Sequence, residues 1–128
     1  MYSAHFLGAL LTAARDMIDS AGPPGLLQFY AGSQPSPGGA PTGTLQVLMI
    51  LPKPCGAVDG YTLTISTPIE ALRVGSDPIQ WARLFTGTGT WLMDLTVSVI
   101  GGGAHIELDS LSGYPGGSVT LTACTIGF

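Results

Sequence analysis

Apolar residues recur at helical spacing near the start of the chain. Over residues 2–20, Phe6, Leu7, Leu10, Leu11, Ala14, Met17 and Ile18 share one face of a helix. His5, Gly8, Thr12, Arg15, Asp16 and Asp19 share the other. Gly22, Pro23 and Pro24 then stop it: a residue suited to a left-handed cap, followed by two that cannot continue a helix. Gly8 costs the helix about 1 kcal/mol relative to Ala. Asp16 and Asp19 lie near the negative end of its dipole. The apolar stripe outweighs both, and Leu10 is expected to be buried within it. The stripe packs on the body of the same chain or docks on a neighbouring subunit.

Beyond residue 25 the period falls to two. Leu26 to Ala31 is a short apolar run, and residues 32–43 (GSQPSPGGAPTG) form a long loop. Thr44 to Leu51 is apolar on both faces, as in a central strand. Pro52 and Pro54 end it, and Cys55-Gly56 is expected to begin a turn. Tyr61, Leu63 and Ile65 point inward along the next strand. Ile69 to Val74 is a weaker strand, and Ile79 to Phe85 a stronger one holding Trp81. After a turn at Thr86 to Thr90, the residues Trp91, Met93, Leu95, Val97 and Val99 form one long inward face. Gly101 to Gly103 stop that strand, Ile106 and Leu108 face inward on another, and Val119, Leu121 and Ala123 line the last. This is about seven or eight strands at sandwich or barrel spacing. No βαβ alternation is present. The expected fold is mainly β: an antiparallel, jelly-roll-like β-sandwich with an N-terminal amphipathic α-helix. Residues 1–22 form the helical arm and 23–128 the β-sandwich domain.

Composition sharpens the picture. The 128 residues suit one domain, and 45% are hydrophobic. Only 9% are charged, against about 25% in a typical soluble domain. The polar surface must come from Thr, Ser and Gly, and a free monomer so built is prone to associate. A homo-oligomer is therefore expected. Four basic residues and a net charge of −4 argue against nucleic-acid binding and against docking on anionic membranes. No apolar run reaches the roughly 18 residues of a spanning helix. The stretch from Phe6 to Ala14 resembles a short signal core. No Lys or Arg precedes it, and Arg15-Asp16 follows at once, so the mature chain is expected to start at or near Met1.

Candidate chemistry is sparse. His105, Glu107 and Asp109 alternate on one strand face and could ligate a metal, but no fourth ligand is evident. A solvated strand face is the expectation. Cys55 and Cys124 are expected to be unpaired thiols, and neither has a basic or helix-terminal setting to activate it. Trp81 and Trp91 lie in apolar strands and are expected in the core, although exposed they could stack on a sugar. Asp59-Gly60 has no acidic repeat around it that would make a calcium loop. The Gly101 to Gly103 run lacks the Lys and helix of a phosphate loop, and Ser112-Gly113 lacks the nucleophile-elbow pattern. No catalytic, cofactor-binding or metal-ligating residues are assigned, and no enzyme activity is expected.

The segments also combine into a resemblance. An N-terminal helix precedes a "(L/F)-x-(F/I)-Y-x-G-x-x-P" segment, here Leu27-Gln28-Phe29-Tyr30-Ala31-Gly32-Ser33-Gln34-Pro35. A strand carrying Trp81-Ala82-Arg83 follows, then an "I-x-L" strand, a turn and an "S-V-T-L-T" strand at the C-terminus. In these the chain resembles a family of small tailed-bacteriophage structural proteins. Residues 53–58, with Cys55, depart from its pattern. The resemblance implies a virion component without catalytic residues: capsid cement or decoration, or else a tail-tip or baseplate piece. It implies other virion proteins as partners, either the major capsid protein or tail proteins, and assembly in the host cytoplasm. A receptor- or glycan-binding β-sandwich module is the competing class.

Overall fold

The structure, a computed structural model, describes residues 3–127; Tyr2, placed in the helix by the sequence pattern, lies outside them. Helix α1 runs Ala4–Ser20. Its N-cap is Ser3, whose side chain accepts from the Phe6 N–H at 3.2 Å. The helix ends at Ala21, and Gly22 takes φ +89°, as the stop signal predicts. Nine strands follow among the described residues: β1 (Leu26–Tyr30), β2 (Leu45–Ile50), β3 (Gly56–Asp59), β4 (Thr62–Ile65), β5 (Ile69–Leu72), β6 (Trp81–Phe85), β7 (Trp91–Val99), β8 (Ile106–Leu108) and β9 (Ser118–Gly127).

They form one curled, mostly antiparallel sheet in the order β2-β1-β6-β7-β8-β9-β4-β3, with β5 also on β9. The sheet is mixed, because β7 and β8 pair in parallel through Val97↔Ile106 and Val99↔Leu108. Residues 100–105, with Gly101 and Gly103 at positive φ, double the chain back so that β8 re-enters in the same direction, and the wholly antiparallel arrangement expected from the sequence is corrected here. Strand β9 has β8 on one edge, and β5 and β4 end to end on the other. The curl nearly closes. An isolated antiparallel bridge, Val47↔Arg73, joins β2 to the chain just past β5, and the Val74 N–H donates to the Gln46 carbonyl at 2.8 Å. Seven strands thus form a ring, and the β3–β4 hairpin extends from it.

One core fills the curl. Leu27, Phe29, Val47, Met49, Leu84, Leu95, Ile106, Leu108 and Leu121 are all buried in it. The helix contributes Leu11 and Ile18, packing against β3 and β4. It does so at close range: a Cβ on Gly8 would collide with the Gly60 carbonyl oxygen. The residue that weakens the isolated helix is the one that lets it approach the hairpin. Leu10 stays 43% exposed, so the stripe is buried along its Leu11–Ile18 side only.

Other departures have local causes. Cys55-Gly56 leads into strand β3 rather than a turn. The turn instead lies at Gly60 (φ +62°), which leaves Tyr61 exposed at the hairpin tip. The expected long inward face of β7 holds for Leu95 alone; Met93 and Val97 are half-buried, and Trp91 and Val99 are exposed. This strand leaves β6 at Thr96 and joins β8 at Val97, so its ends run past the core. On β9, a bulge opposite Glu107 and Leu108 shifts the alternation, since Leu121 pairs Leu108 and Ala123 pairs Glu107. Cys124 and Ile126 therefore take the inward positions in place of Ala123.

Gly8→Ala raises intrinsic helix propensity by about 1 kcal/mol. It is nevertheless expected to lower the urea midpoint, because α1 must shift off the hairpin. Leu11→Ala should cost about 2–5 kcal/mol. Leu10→Ala should stay within about 0.5 kcal/mol, as at other exposed sites. Equal losses at Leu10 and Leu11 would contradict the observed rotation of the helix.

Candidate functional site

The densest polar chemistry lies on the outer face of β1, β6 and β7. Register sets Arg83 opposite Asp94 and Gln28 opposite Arg83, with Tyr30 opposite Trp81. Arg83 binds Asp94 through two nitrogens, at 2.7 and 3.1 Å, and the two side chains are only 8% and 2% exposed. Arg83 also lies over the Trp81 ring, 5.1 Å from its centroid, and Tyr30 stacks on that ring at 4.8 Å. The Pro/Gly-rich loop of residues 32–43 covers the group. The Gly38 N–H donates to Asp94 at 3.3 Å, and Arg83 donates to the Gly39 carbonyl at 2.6 Å. Trp91 donates its indole N–H to Asp94 at 3.1 Å. Burial pushes the Asp94 carboxyl up. The hydrogen bonds from Arg83, Trp91 and Gly38, with the Arg83 charge, outweigh it and hold Asp94 below its ordinary value. Trp81 is buried as expected, but between Tyr30 and Arg83 on this face rather than in the main core cluster, and its indole N–H has no acceptor among the described residues. Trp91 is partly exposed.

A second buried cation, Arg73, is 2% exposed. Its guanidinium donates to the carbonyls of Asp77 (2.6 Å), Gly75 (3.2 Å) and Leu111 (3.3 Å) and to Gln46 Oε1 (3.5 Å). A bulge between β1 and β2, at Phe29 and Tyr30, puts Gln46 and Val47 on the buried side together. Neither Arg73 nor the Arg83–Asp94 pair was singled out from sequence. An Arg at an odd position of a weak strand carries no local signal. The Arg83–Asp94 pairing became visible only with the β6–β7 register.

The residues that were singled out do not converge. His105 Nδ1 lies 2.9 Å from Thr96 Oγ1. Glu107 accepts from the N–H groups of Gly101 and Gly103, and Asp109 from that of Thr120. Each pins a neighbouring turn or strand, and no metal-holding group of three is found among the described residues. Asp59 is exposed on β3. Cys55 and Cys124 are free, buried thiols on either side of β4. Burial raises both to about 12, and Asp19 adds to the effect at Cys55. They are therefore protonated near neutrality and inert as nucleophiles. A shallow groove of about 470 Å³ between α1 and the hairpin is lined by His5, Thr12, Arg15 and Val58 among others, without an assembled catalytic group. No helix among the described residues is long and apolar enough to cross a membrane.

The surface does present exposed apolar side chains, among them Val99, Ile100 and two further groups. One is the outer side of α1, with Leu10, Ala13 and Met17 exposed. The other is the β2–β5 seam, where Leu48, Ile50, Leu72 and Val74 are exposed. Outward-facing positions on β2 and on the β5 segment meet near the single antiparallel bridge Val47↔Arg73.

Asp94 is held below its ordinary value, so its stabilisation is present above that value and lost as pH falls through the folded one. Both tryptophans lie in this group. Their fluorescence should change below about pH 4, and Asp94→Asn should reproduce the change at pH 7 with a loss of about 3–5 kcal/mol. The thiols carry the opposite sign. Raised folded values mean that stability falls as pH rises above about 9, where the unfolded thiols ionise. Native protein at pH 8 should resist a thiol reagent that labels both cysteines in denaturant. No protein-family model, curated protein or solved structure matches the chain.

Proposed function

We propose that the chain is a non-enzymatic structural protein of a bacteriophage particle, a capsid cement or decoration subunit that stabilises the particle through subunit–subunit contacts. The observation that carries this reading is the surface. Two of the four cations are buried, a third is paired with Asp16, and large apolar side chains stand exposed on α1 and on the β2–β5 seam. A face with few ions loses little hydration on contact, which suits extended association. The sequence resemblance at Leu27 to Pro35, Trp81 to Arg83 and the C-terminal strands points the same way. Within this reading the curled sheet is a flattened, jelly-roll-like sandwich. One layer is β2-β1-β6-β7, and the other is β8-β9 with β5, β4 and β3. The partners are the major capsid protein or tail proteins together with further copies of the chain, and the location is the virion, assembled in the host cytoplasm.

A second reading, a tail-tip or baseplate piece or a glycan-binding module, is favoured by one feature: the partly exposed Trp91 ring beside the Arg83–Asp94 pair. An aromatic face next to fixed polar groups is the chemistry of a sugar platform.

Quantitative peptide mass spectrometry of purified particles separates these. On the order of hundreds of copies per particle is expected for cement, following the symmetry of a shell, and about a dozen or fewer would favour the tail. Absence from particles would remove the virion reading altogether. A saturable fluorescence response of Trp91 to host polysaccharide would support the glycan module.

A further inference from the structure

The connection between β5 and β6 carries the one Asp–Pro bond in the chain, Asp77-Pro78. Both residues are exposed, yet the bond between them is held from each side. The Asp77 N–H donates to the buried Gln46 Oε1 at 3.0 Å, and the Ile79 N–H donates to the Leu111 carbonyl at 2.9 Å. The Asp77 carbonyl accepts from Arg73 Nη2 at 2.6 Å, the shortest of the hydrogen bonds from that guanidinium. These bonds use the Asp77 backbone and leave its carboxylate in solvent.

An Asp–Pro bond is open to attack from within. The Asp carboxylate can reach its own carbonyl carbon and close a cyclic anhydride, and the proline nitrogen, part of a tertiary amide, leaves more readily than an ordinary amide nitrogen. The attack is helped by a fixed scissile bond and by a donor at the carbonyl oxygen, where negative charge builds. Arg73 is that donor. It is 2% exposed, and its acceptors are all neutral: three carbonyls and the Gln46 amide oxygen. In the intact chain its hydrogen bonds are met and its charge is left unpaired. A cation so placed binds an oxyanion more strongly than a carbonyl, so it favours the tetrahedral intermediate over the ground state. It favours the product as well, because cleavage turns the Asp77 carbonyl into a carboxylate beside the guanidinium.

We infer that Asp77-Pro78 is a self-cleavage site, with the Asp77 carboxylate as nucleophile and Arg73 as oxyanion donor. The carboxylate oxygen bonds to the Asp77 carbonyl carbon, and the C=O electron pair passes to the oxygen that Arg73 holds. Collapse breaks the C–N bond. Its electron pair leaves with the Pro78 nitrogen, which takes a proton from a solvent acid. Water then opens the anhydride and leaves carboxylates on the Asp77 side chain and at the new C-terminus. The net change is the addition of one water, with nothing oxidised or reduced. The products are residues 1–77 and 78–128, and they stay together, since the β1–β6 and β5–β9 pairings span the break. The event happens once, within one chain. It goes beyond the virion reading and does not depend on it.

The test incubates the purified chain at about pH 5, above the range in which Asp94 protonates, and follows it by intact-mass spectrometry. The wild type should give two fragments that break between Asp77 and Pro78 and whose masses sum to the chain plus one water. The folded chain should cleave roughly a hundredfold faster than the same chain in guanidinium chloride at equal pH and temperature, the worth of one oxyanion donor. Asp77→Ala, at an exposed position, should keep the wild-type melt and abolish cleavage. Arg73→Lys, if its melt stays cooperative, should lose most of the acceleration; if it does not fold, the comparison of folded with unfolded wild type carries the same test. A folded wild type that stays whole, or that cleaves no faster than the unfolded chain, overturns the inference. So does cleavage that persists in Asp77→Ala, or a folded Arg73→Lys that cleaves at the wild-type rate.

Discussion

The curl of the sheet closes at Arg73. Its side chain is almost without solvent, yet no carboxylate among the described residues pairs with it; three carbonyls and Gln46 Oε1 accept its hydrogen bonds instead. A buried guanidinium is costly unless its hydrogen bonds are met, and here they are met by backbone from two separate loops. Residues 75–77 and Leu111 are thereby fixed relative to β2. The backbone of Arg73 adds to this, since its carbonyl accepts from Gly116 and its N–H donates to Gly117. The bridge to Val47 and the loop before β9 are held at one point. Close packing enforces the same geometry, because a Cβ on Gly113 would press on the Arg73 side chain. An apolar residue at this position would leave those carbonyls unpaired, so the cation is needed for satisfaction rather than for charge.

The same logic governs the outer face. Arg83 and Asp94 lie on the side of the sheet that would normally meet water, and the loop of residues 32–43 excludes it. A chain with few ions has placed two of its four cations where they organise loops. The exterior is left with hydroxyls, glycine, apolar side chains and a scatter of carboxylates such as Asp16, Asp59, Glu70, Asp77 and Asp109. The acidic sign of the surface is therefore a consequence of how the fold is held as well as of composition.

Much of this was legible in the chain. Alternation at Leu63 and Ile65, and again at Ile106 and Leu108, marked which side chains enter the core. The Gly22–Pro24 stop and the Gly/Pro-rich loop were placed by local chemistry that needs no partner. What failed depended on partners distant in sequence. The β9 bulge is set by β8, the fading of β7 by its change of neighbour, and the buried pair by the β6–β7 register. The β3 strand begins at Gly56, straight after Pro54-Cys55, and was hidden by that local turn signal. The acidic and histidine positions of the C-terminal half stay apart for a simpler reason. Glu107 lies on β8 with His105 and Asp109 flanking it, and each is claimed by a neighbouring backbone or hydroxyl group before it could meet the others.

The helix shows how a correct pattern can be wider than the one contact it makes. A single contact needs an apolar stripe of roughly 100°. The residues from Phe6 to Ile18 cover more than that, so one packing surface cannot bury them all. Gly8 settles which edge goes inward, because only a helix turned with Gly8 against the Gly60 carbonyl approaches closely enough for Leu11 and Ile18 to reach the core. Leu10 and Met17 are left outside by that same rotation. Their exposure is thus fixed by packing within the chain, and the surplus width of the stripe is what leaves a second apolar face uncovered.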